Sequence, residues 1–321
     1  MRAQSDRRSA RRWILVVLVV EAVVVLATIF TPVPAAVLLA GPLVAVSGWA
    51  GTAARSQSRT KRSLAETTAS LARMTHIADV TQRAIVRPLP SELGGITLAV
   101  HTRSATHGAL IGGDLHDAVA TRTGTRLLLA DVKGHGIDAV PLAASVLSAF
   151  RHNAAAEHDL SRLARIIDAH IAPELGPEDF VTLLLADVVD GEVHLVNCGH
   201  PPPLRIGRHR VMHLEPPAPS PPLGLAPEPR LHRVRLTTAH RLLFYTDGLT
   251  EARDPRGEAL ALDTIAEPVR TAPDLDQALD KILDLIRSRA VNDDLTLLLA
   301  QPTPAPVPAP APRAEVRGPR R

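Results

Sequence analysis

The chain has 321 residues, 45% of them hydrophobic and 2% aromatic, so it can bury a large aliphatic core but offers few rings on which bases could stack. The single cysteine, Cys198, excludes an internal disulfide and a cysteine-rich zinc site, and its position at the end of a predicted strand favours a buried structural thiol. The net charge of +3 is unevenly spread, because residues 89–301 carry −8 and the flanking segments are basic. This acidic balance argues against a nucleic-acid-binding role for the main domain.

The N-terminal part of the sequence predicts a membrane anchor. A basic segment, residues 1–12, precedes two apolar stretches within residues 13–53, which Pro32 and Pro34 separate. Basic residues flank both ends of the pair, so we expect a transmembrane helical hairpin in the cell membrane, with both ends in the cytoplasm. A cleaved secretory signal is the alternative, although it would not need the second apolar stretch. Glu21, inside the first stretch, is either a sensing residue or one that packs against the partner helix.

Two further segments flank the main domain, residues 89–301. Residues 54–88 are basic and carry apolar residues at spacings that allow a juxtamembrane helix, which could pair with a second copy in a homodimer. The alternative is a plain basic linker held on anionic lipid. Residues 302–321 are rich in proline and alanine and predict a disordered tail.

Aspartates recur beside the apolar, strand-like runs of the main domain. Each one alone is ordinary turn chemistry, but a set of four such places is difficult to explain by turns. In "GALIGGDLHD", "RLLLADVKGHG", "HRLLFYTDGL" and "NDDLTLLLA" the residues concerned are Asp114 and Asp117, Asp131, Asp247, and Asp293 and Asp294.

Such a set of carboxylates suits hard divalent cations. Mg²⁺ and Mn²⁺ prefer oxygen ligands and keep several waters, and two neighbouring ions lower the pKa of a water that bridges them. Without the ions, clustered carboxylates would repel one another, so the metal-free site should be destabilised.

The ordered motifs resemble those of a known enzyme family. "GGDLHD", "ADVKGHGIDA", "FVTLLLADV", "NCGHPPPL", "PPLGL", "LLFYTDGLTEARD" and "DDLTLLL" are similar to the PPM-type, metal-dependent serine/threonine protein phosphatases. The resemblance covers roughly residues 80–301 and is closest to the bacterial branch of the stage II sporulation E and sigma-factor-regulating phosphatases.

The resemblance implies an α+β fold, an αββα sandwich of two antiparallel sheets flanked by helices, with the metals in a cleft at one end. Residues 139–156 and 275–290 have the amphipathic pattern of helices. The pattern of residues 181–198 predicts a strand hairpin that turns at Asp190 and Gly191. These patterns fit the implied fold.

The resemblance also implies an activity and a set of site residues. The activity is hydrolysis of phosphoserine or phosphothreonine on a protein, an anti-sigma-factor antagonist, by a water that bridges two Mn²⁺ or Mg²⁺ ions. Asp131 would bridge the ions and position the nucleophilic water. The other ligands would be Asp114, the backbone carbonyl of Val132, Asp247 and Asp293, with Asp117 and Asp294 just behind them.

The sequence leaves several interpretations of the residues and of the domain open. Lys133 either attracts the phosphorylated substrate or is simply solvated, and His135 and His200 are either acids or structural hydrogen-bonding residues. The domain could instead be a membrane-tethered, non-catalytic pseudophosphatase that captures a partner, although the complete acidic set argues against this. A two-metal nuclease is disfavoured because the domain lacks a basic track for nucleic acid.

Overall fold

The chain divides into two units, residues 1–73 and residues 74–321. The structure, a computed structural model, describes residues 86–104, 113–134, 139–291 and 293–303, together with scattered helical positions between residues 19 and 29 and between residues 61 and 70. Among these described positions, no helix is long and apolar enough to cross a membrane.

Several sequence-based expectations lie outside the described residues. Most of the predicted hairpin, residues 13–53, and most of the juxtamembrane segment, residues 54–88, fall there, as do His135 and nearly all of the proline-rich tail.

The second unit is built on two antiparallel sheets. The six-stranded sheet contains β1 (Glu92–Leu93), β2 (Ile96–Arg103), β7 (Leu204–Ile206), β8 (Val211–His213), β10 (Arg241–Tyr245) and β11 (Leu295–Pro302), in the order β1-β2-β11-β10-β7-β8. The five-stranded sheet contains β3 (Asp114–Ala120), β4 (Gly124–Val132), β5 (Val181–Val189), β6 (Glu192–Cys198) and β9 (His232–Arg235), in the order β3-β4-β5-β6-β9.

Helices cover the outer face of each sheet. The helices are α1 (Val140–Asn153), α2 (Leu160–Ile171), α3 (Asp247–Thr250), α4 (Asp263–Thr271) and α5 (Leu275–Ile286), and a 3-10 turn spans Ala172–Glu174. The apolar faces of α1 and α2 pack on the five-stranded sheet, and those of α4 and α5 pack on the six-stranded sheet. A third cluster of buried hydrophobic residues fills the space between the sheets. The αββα sandwich predicted from the resemblance is confirmed.

The local predictions inside the domain are also confirmed. Helix α1 lies within residues 139–156 and α5 within residues 275–290, and the β5–β6 hairpin turns at Asp190 and Gly191. Gly191 has a φ of +77°, a conformation that favours glycine. Cys198 is fully buried, and burial raises the pKa of its thiol to about 11, as expected of a structural thiol.

The two-residue period of the strands decides which side chains reach the space between the sheets. On β4, Leu127 and Leu129 face that space, whereas Leu128 and Ala130 face α1 and α2. Asp131 continues the first series, so its carboxylate lies between the sheets at the end of β4.

Candidate active site

Aspartates from both sheets meet at one end of the space between them. In the five-stranded sheet, Asp114 begins β3 and lies directly opposite Asp131 in the antiparallel register. In the six-stranded sheet, β10 and β11 are antiparallel neighbours, so the residues after β10 lie beside those before β11. These residues are Asp247, Asp293 and Asp294. Four separate segments of the sequence contribute the five aspartates, and the fold brings them together.

Hydrogen bonds across the sheets fix this arrangement. The backbone N–H of Gly113 donates to Asp294 Oδ2 at 2.7 Å, and the hydroxyl of Thr246 donates to Asp114 Oδ2 at 2.8 Å. Thr246 Oγ1 in turn accepts from the backbone N–H of Thr296 at 2.9 Å. These bonds join the start of β3 to the end of β10 and the start of β11, so the carboxylates are held before any ligand binds.

The backbone at the site is packed too closely for side chains at two glycines. A Cβ on Gly113 would lie 2.3 Å from the carbonyl oxygen of Val132 and 2.7 Å from Asp131 Oδ1. A Cβ on Gly248, in the first turn of α3, would lie 2.0 Å from the carbonyl oxygen of Asp294. Glycine at these positions therefore lets Val132 and the aspartates approach one another.

The crowded carboxylates have strongly perturbed acidities. Burial raises the pKa of Asp131 to about 9, and the charges of Asp114, Asp247, Asp293 and Asp294 add to the increase. Burial also raises the pKa of Asp114 to about 8; the hydrogen bond from the Thr246 hydroxyl acts in the opposite direction.

Asp247 shows the same trend, because burial and then the charge of Asp293 raise its pKa. In the metal-free protein, part of this cluster therefore holds protons at neutral pH. A bound cation would have to displace them.

The donor set fits a hard divalent cation. Every group at the site is an oxygen donor, and Asp114 Oδ1 and Thr296 Oγ1 are buried with no hydrogen-bond partner among the described residues. Within the same residues, no group of three His, Cys, Asp or Glu side chains could hold an ion by itself. Mg²⁺ does not require such a group, because it usually keeps several waters and takes few carboxylates.

Asp117 is set apart from this cluster. It lies three residues after Asp114 on the same strand, so its side chain points to the opposite face of the sheet. There its Oδ2 accepts a hydrogen bond from the guanidinium of Arg151 on α1, and its Oδ1 accepts from the backbone N–H of Ala118. These contacts favour a structural role for Asp117, whereas Asp294 lies in the cluster itself.

His200 connects the loop after β6 to the site. Its Nδ1 shares a hydrogen bond of 2.8 Å with the hydroxyl of Thr182, whose Cα pairs with that of Asp131. Asn197 holds the backbone N–H and the carbonyl of His200 through its side-chain amide. Burial lowers the pKa of His200 to about 3, so the ring is neutral at neutral pH, which favours a structural role over that of an acid.

Sequence reasoning missed the residues that hold the aspartates and His200 in place, chiefly Gly113, Thr182, Thr246 and Thr296. A threonine directly before Asp247 and a glycine directly before Asp114 are visible in the sequence. Their partners lie up to 181 residues away, however, so their contacts could not be read from local patterns.

A sequence profile of the Stage II sporulation protein E family matches residues 121–303, more than half of the chain. The chain belongs to this family. The resemblance inferred from the order of the motifs is thus confirmed, and the matched segment includes Asp131, Asp247 and Asp293.

Solved structures share the fold of this SpoIIE-family protein. The RsbU and RsbW domains of a Mycobacterium tuberculosis protein superpose with a TM-score of 0.59 at 28% sequence identity, covering 66% of this chain and 62% of that one. The SiaA PP2C domain of Pseudomonas aeruginosa gives 0.63 at 18% identity, covering 74% of this chain and 99% of that one. SpoIIE from Bacillus subtilis gives 0.52 at 16% identity, covering 64% and 63%.

The similarity to the Mycobacterium tuberculosis protein covers only part of that protein. The SpoIIE-family chain spans less than two thirds of the length of the Mycobacterium tuberculosis protein. The two more distant structures establish the PP2C fold and nothing finer.

Proposed function

We propose that the protein is a serine/threonine protein phosphatase that depends on two Mn²⁺ or Mg²⁺ ions. The proposal rests on one observation: Asp114, Asp131, Asp247 and Asp293 lie together between the two sheets. Asp114 Oδ1 is buried there and has no hydrogen-bond partner among the residues that the structure describes. Membership of the SpoIIE family and the PP2C fold support the same reaction.

The chain's own residues would hold the ions and orient the substrate's phosphoryl group. Asp131 would bridge the ions, and Asp114, the Val132 carbonyl, Asp247 and Asp293 would complete their protein ligands. Bound divalent ions would supply positive charge and Lewis acidity toward the phosphoryl oxygens. Thr246 and Asp294 would keep Asp114 and Gly113 in place through the hydrogen bonds described above.

The proposed substrate is a phosphorylated protein, specifically an anti-sigma-factor antagonist. The branch of the family that the motifs resemble regulates sigma factors, and the similar Mycobacterium tuberculosis protein contains RsbU and RsbW domains. We further propose that the protein is anchored in the cell membrane with this domain in the cytoplasm, and that residues 54–88 can support a homodimer. The apolar stretches and basic flanks of residues 1–88 support this arrangement.

Phosphate release by the purified full-length protein tests the proposed reaction. We expect release from phosphoserine or phosphothreonine proteins in Mn²⁺ and its loss in EDTA, with recovery when Mn²⁺ is restored, because EDTA would remove the ions from the proposed carboxylate ligands. Calorimetric titration with Mn²⁺ should be run on the same sample.

The two measurements together separate the competing functions. Binding of Mn²⁺ without phosphate release from any phosphoprotein or phosphopeptide would identify a non-catalytic binding module. Phosphate release that persists in EDTA would contradict the metal-dependent mechanism.

A further inference from the structure

Lys133 lies in the turn that leaves the metal end of β4. It directly follows Val132, whose carbonyl is one of the proposed ligands, and precedes Gly134, which has a φ of +99°. The backbone N–H of Lys133 donates to the carbonyl of Phe180 at 3.0 Å, just before β5 begins. The turn is therefore already joined to the segment that leads into β5.

The side chain of Lys133 reaches the same segment. Its Nζ donates to the backbone carbonyl of Glu178 at 2.8 Å and lies 5.4 Å from the centre of the Phe180 ring. The Glu178 carboxylate is 3.6 Å away, but its side chain is 89% exposed, so this ion pair contributes little. The carbonyl hydrogen bond and the ring contact give the ammonium a defined position.

The segment that Lys133 contacts is itself anchored. The hydroxyl of Ser145 on α1 donates to the carboxylate of Glu174 at 2.6 Å, and the Asp179 carboxylate accepts from the backbone N–H of Gly176 at 2.8 Å. The first bond joins the segment to α1, and the second closes a turn within it.

The opposite side of the turn is equally constrained. The backbone N–H of Val132 donates to the carbonyl of Gly113 at 3.1 Å, and Gly113 has no room for a side chain against the Val132 carbonyl. The Val132 peptide is thus held between Gly113 and the segment bound by Lys133.

We propose that Lys133 is a positioning residue that fixes the Val132 carbonyl, and with it the end of β4, for metal binding. The ammonium acts through Glu178 and Phe180, so it neither contacts the substrate phosphate nor is freely solvated. This inference rests on the proposed function, because it concerns the affinity of that site for its ions.

Calorimetric titration of the full-length protein with Mn²⁺ tests the inference. We expect Lys133→Met, which keeps the aliphatic stem but removes the donor, to weaken Mn²⁺ binding by about 10-fold, the range seen when residues behind metal ligands are lost. Lys133→Arg should restore the affinity, since a guanidinium can still donate to the Glu178 carbonyl. Lys133→Gln provides a second neutral substitution.

Two matched controls isolate the proposed contact. Glu178→Gln keeps the backbone carbonyl and should leave Mn²⁺ affinity unchanged. Lys281→Met removes a lysine of α5 whose Nζ donates to Thr271 Oγ1, and it should also have no effect. The thermal midpoints of the metal-free variants should match that of the wild type, because the Lys133 side chain is 41% exposed.

The outcomes separate this inference from the proposed function. Wild-type Mn²⁺ affinity in both Lys133→Met and Lys133→Gln would overturn the inference alone. A raised KM for a phosphoprotein at unchanged Mn²⁺ affinity would assign Lys133 to the substrate and also overturn it. A wild-type protein that binds no Mn²⁺ would remove the proposed function and the inference together.

Discussion

Asp131 and Asp117 carry the same functional group on neighbouring strands but face opposite sides of the five-stranded sheet. Asp131 lies among four other aspartates between the sheets, whereas Asp117 accepts a hydrogen bond from Arg151 on the helix side. A carboxylate between the sheets can bind a metal, whereas the Asp117 carboxylate on the helix side stabilises the packing of α1 on the sheet.

Substitution of each aspartate by asparagine separates these roles. We expect Asp131→Asn to lower kcat by about 100-fold or more and to weaken Mn²⁺ binding, because a neutral amide cannot replace a bridging carboxylate. Asp117→Asn should leave Mn²⁺ affinity unchanged and lower the free energy of unfolding by about 1–2 kcal/mol through the weakened contact with Arg151. Phosphate-release kinetics, calorimetry and urea unfolding measure the three quantities. Equal loss of Mn²⁺ affinity in both variants would contradict these assignments.

The individual aspartates show which parts of the site can be predicted from the sequence and which cannot. Residue types and motif order were enough to select Asp114, Asp131, Asp247, Asp293 and Asp294. They were not enough to exclude Asp117 from the neighbourhood of the ligands, because the face of a strand residue is defined only once the start of the strand is known. The structure begins β3 at Asp114, and three residues further on the side chain points the other way.

At the scale of elements, the start of β3 must approach the end of β4 without an intervening side chain. The Val132 carbonyl lies 2.3 Å from where a Cβ on Gly113 would be, and this neighbour is backbone that cannot rotate away. Gly113, directly before β3, also supplies the N–H that donates to Asp294. The spacing of two strands and a bond to the other sheet therefore depend on one glycine.

Gly113→Ala should disturb both contacts. We expect a loss of about 1–3 kcal/mol in the free energy of unfolding, as for other overpacked sites, together with weaker Mn²⁺ binding. Gly207→Ala is the matched control, since its Cβ would meet the side chain of His240 at 3.1 Å and backbone only at 3.6 Å, the carbonyl oxygen of Arg210. It should change stability by less than about 0.5 kcal/mol. Urea unfolding in EDTA and calorimetry test both variants. A Gly113→Ala protein with wild-type stability and affinity would show that β3 can shift freely.

The helices and strands differ in how strongly the local sequence predicts them. Helices α1 and α5 follow from amphipathic periodicity, and the β5–β6 hairpin follows from an Asp-Gly turn between two apolar runs. Helix α2 carries comparable signals, because Asp159 caps it and its apolar residues recur at helical spacing. The pairing of strands distant in sequence, such as β2 with β11, has no local signal and depends on the resemblance.

The molecule as a whole combines two opposing sets of buried ionisable groups. Asp114 and Asp131 have raised pKa values, of about 8 and about 9, and hold protons in the folded, metal-free protein. His116 and His200 are buried with pKa values lowered to about 4 and about 3, mainly by burial, so they stay neutral when folded. The two sets change the stability in opposite directions as the pH changes.

The sign of each contribution follows from proton counts in the folded and unfolded states. Between about pH 4 and pH 8, the folded protein holds up to two protons on the aspartates that the unfolded chain has released, so this contribution to stability falls as pH rises. Below about pH 6.5 the unfolded chain binds protons on the two histidines that the folded protein excludes, so this contribution falls as pH drops. The two effects oppose each other in mild acid, and only the aspartate effect remains above neutrality.

We therefore expect the thermal midpoint of the metal-free protein to change little between about pH 5 and pH 6 and to decline from pH 7 to about pH 8.5. Saturating Mg²⁺ should remove this decline, because cation binding requires ionised carboxylates and becomes tighter as protons leave. Asp131→Asn should flatten the metal-free decline, since one of the two titrating groups is lost. Thermal melts across this pH range, in EDTA and in Mg²⁺, give the comparison. A metal-free midpoint that rises above pH 7, or one that Asp131→Asn does not flatten, would mean that these carboxylates are already ionised in the folded protein.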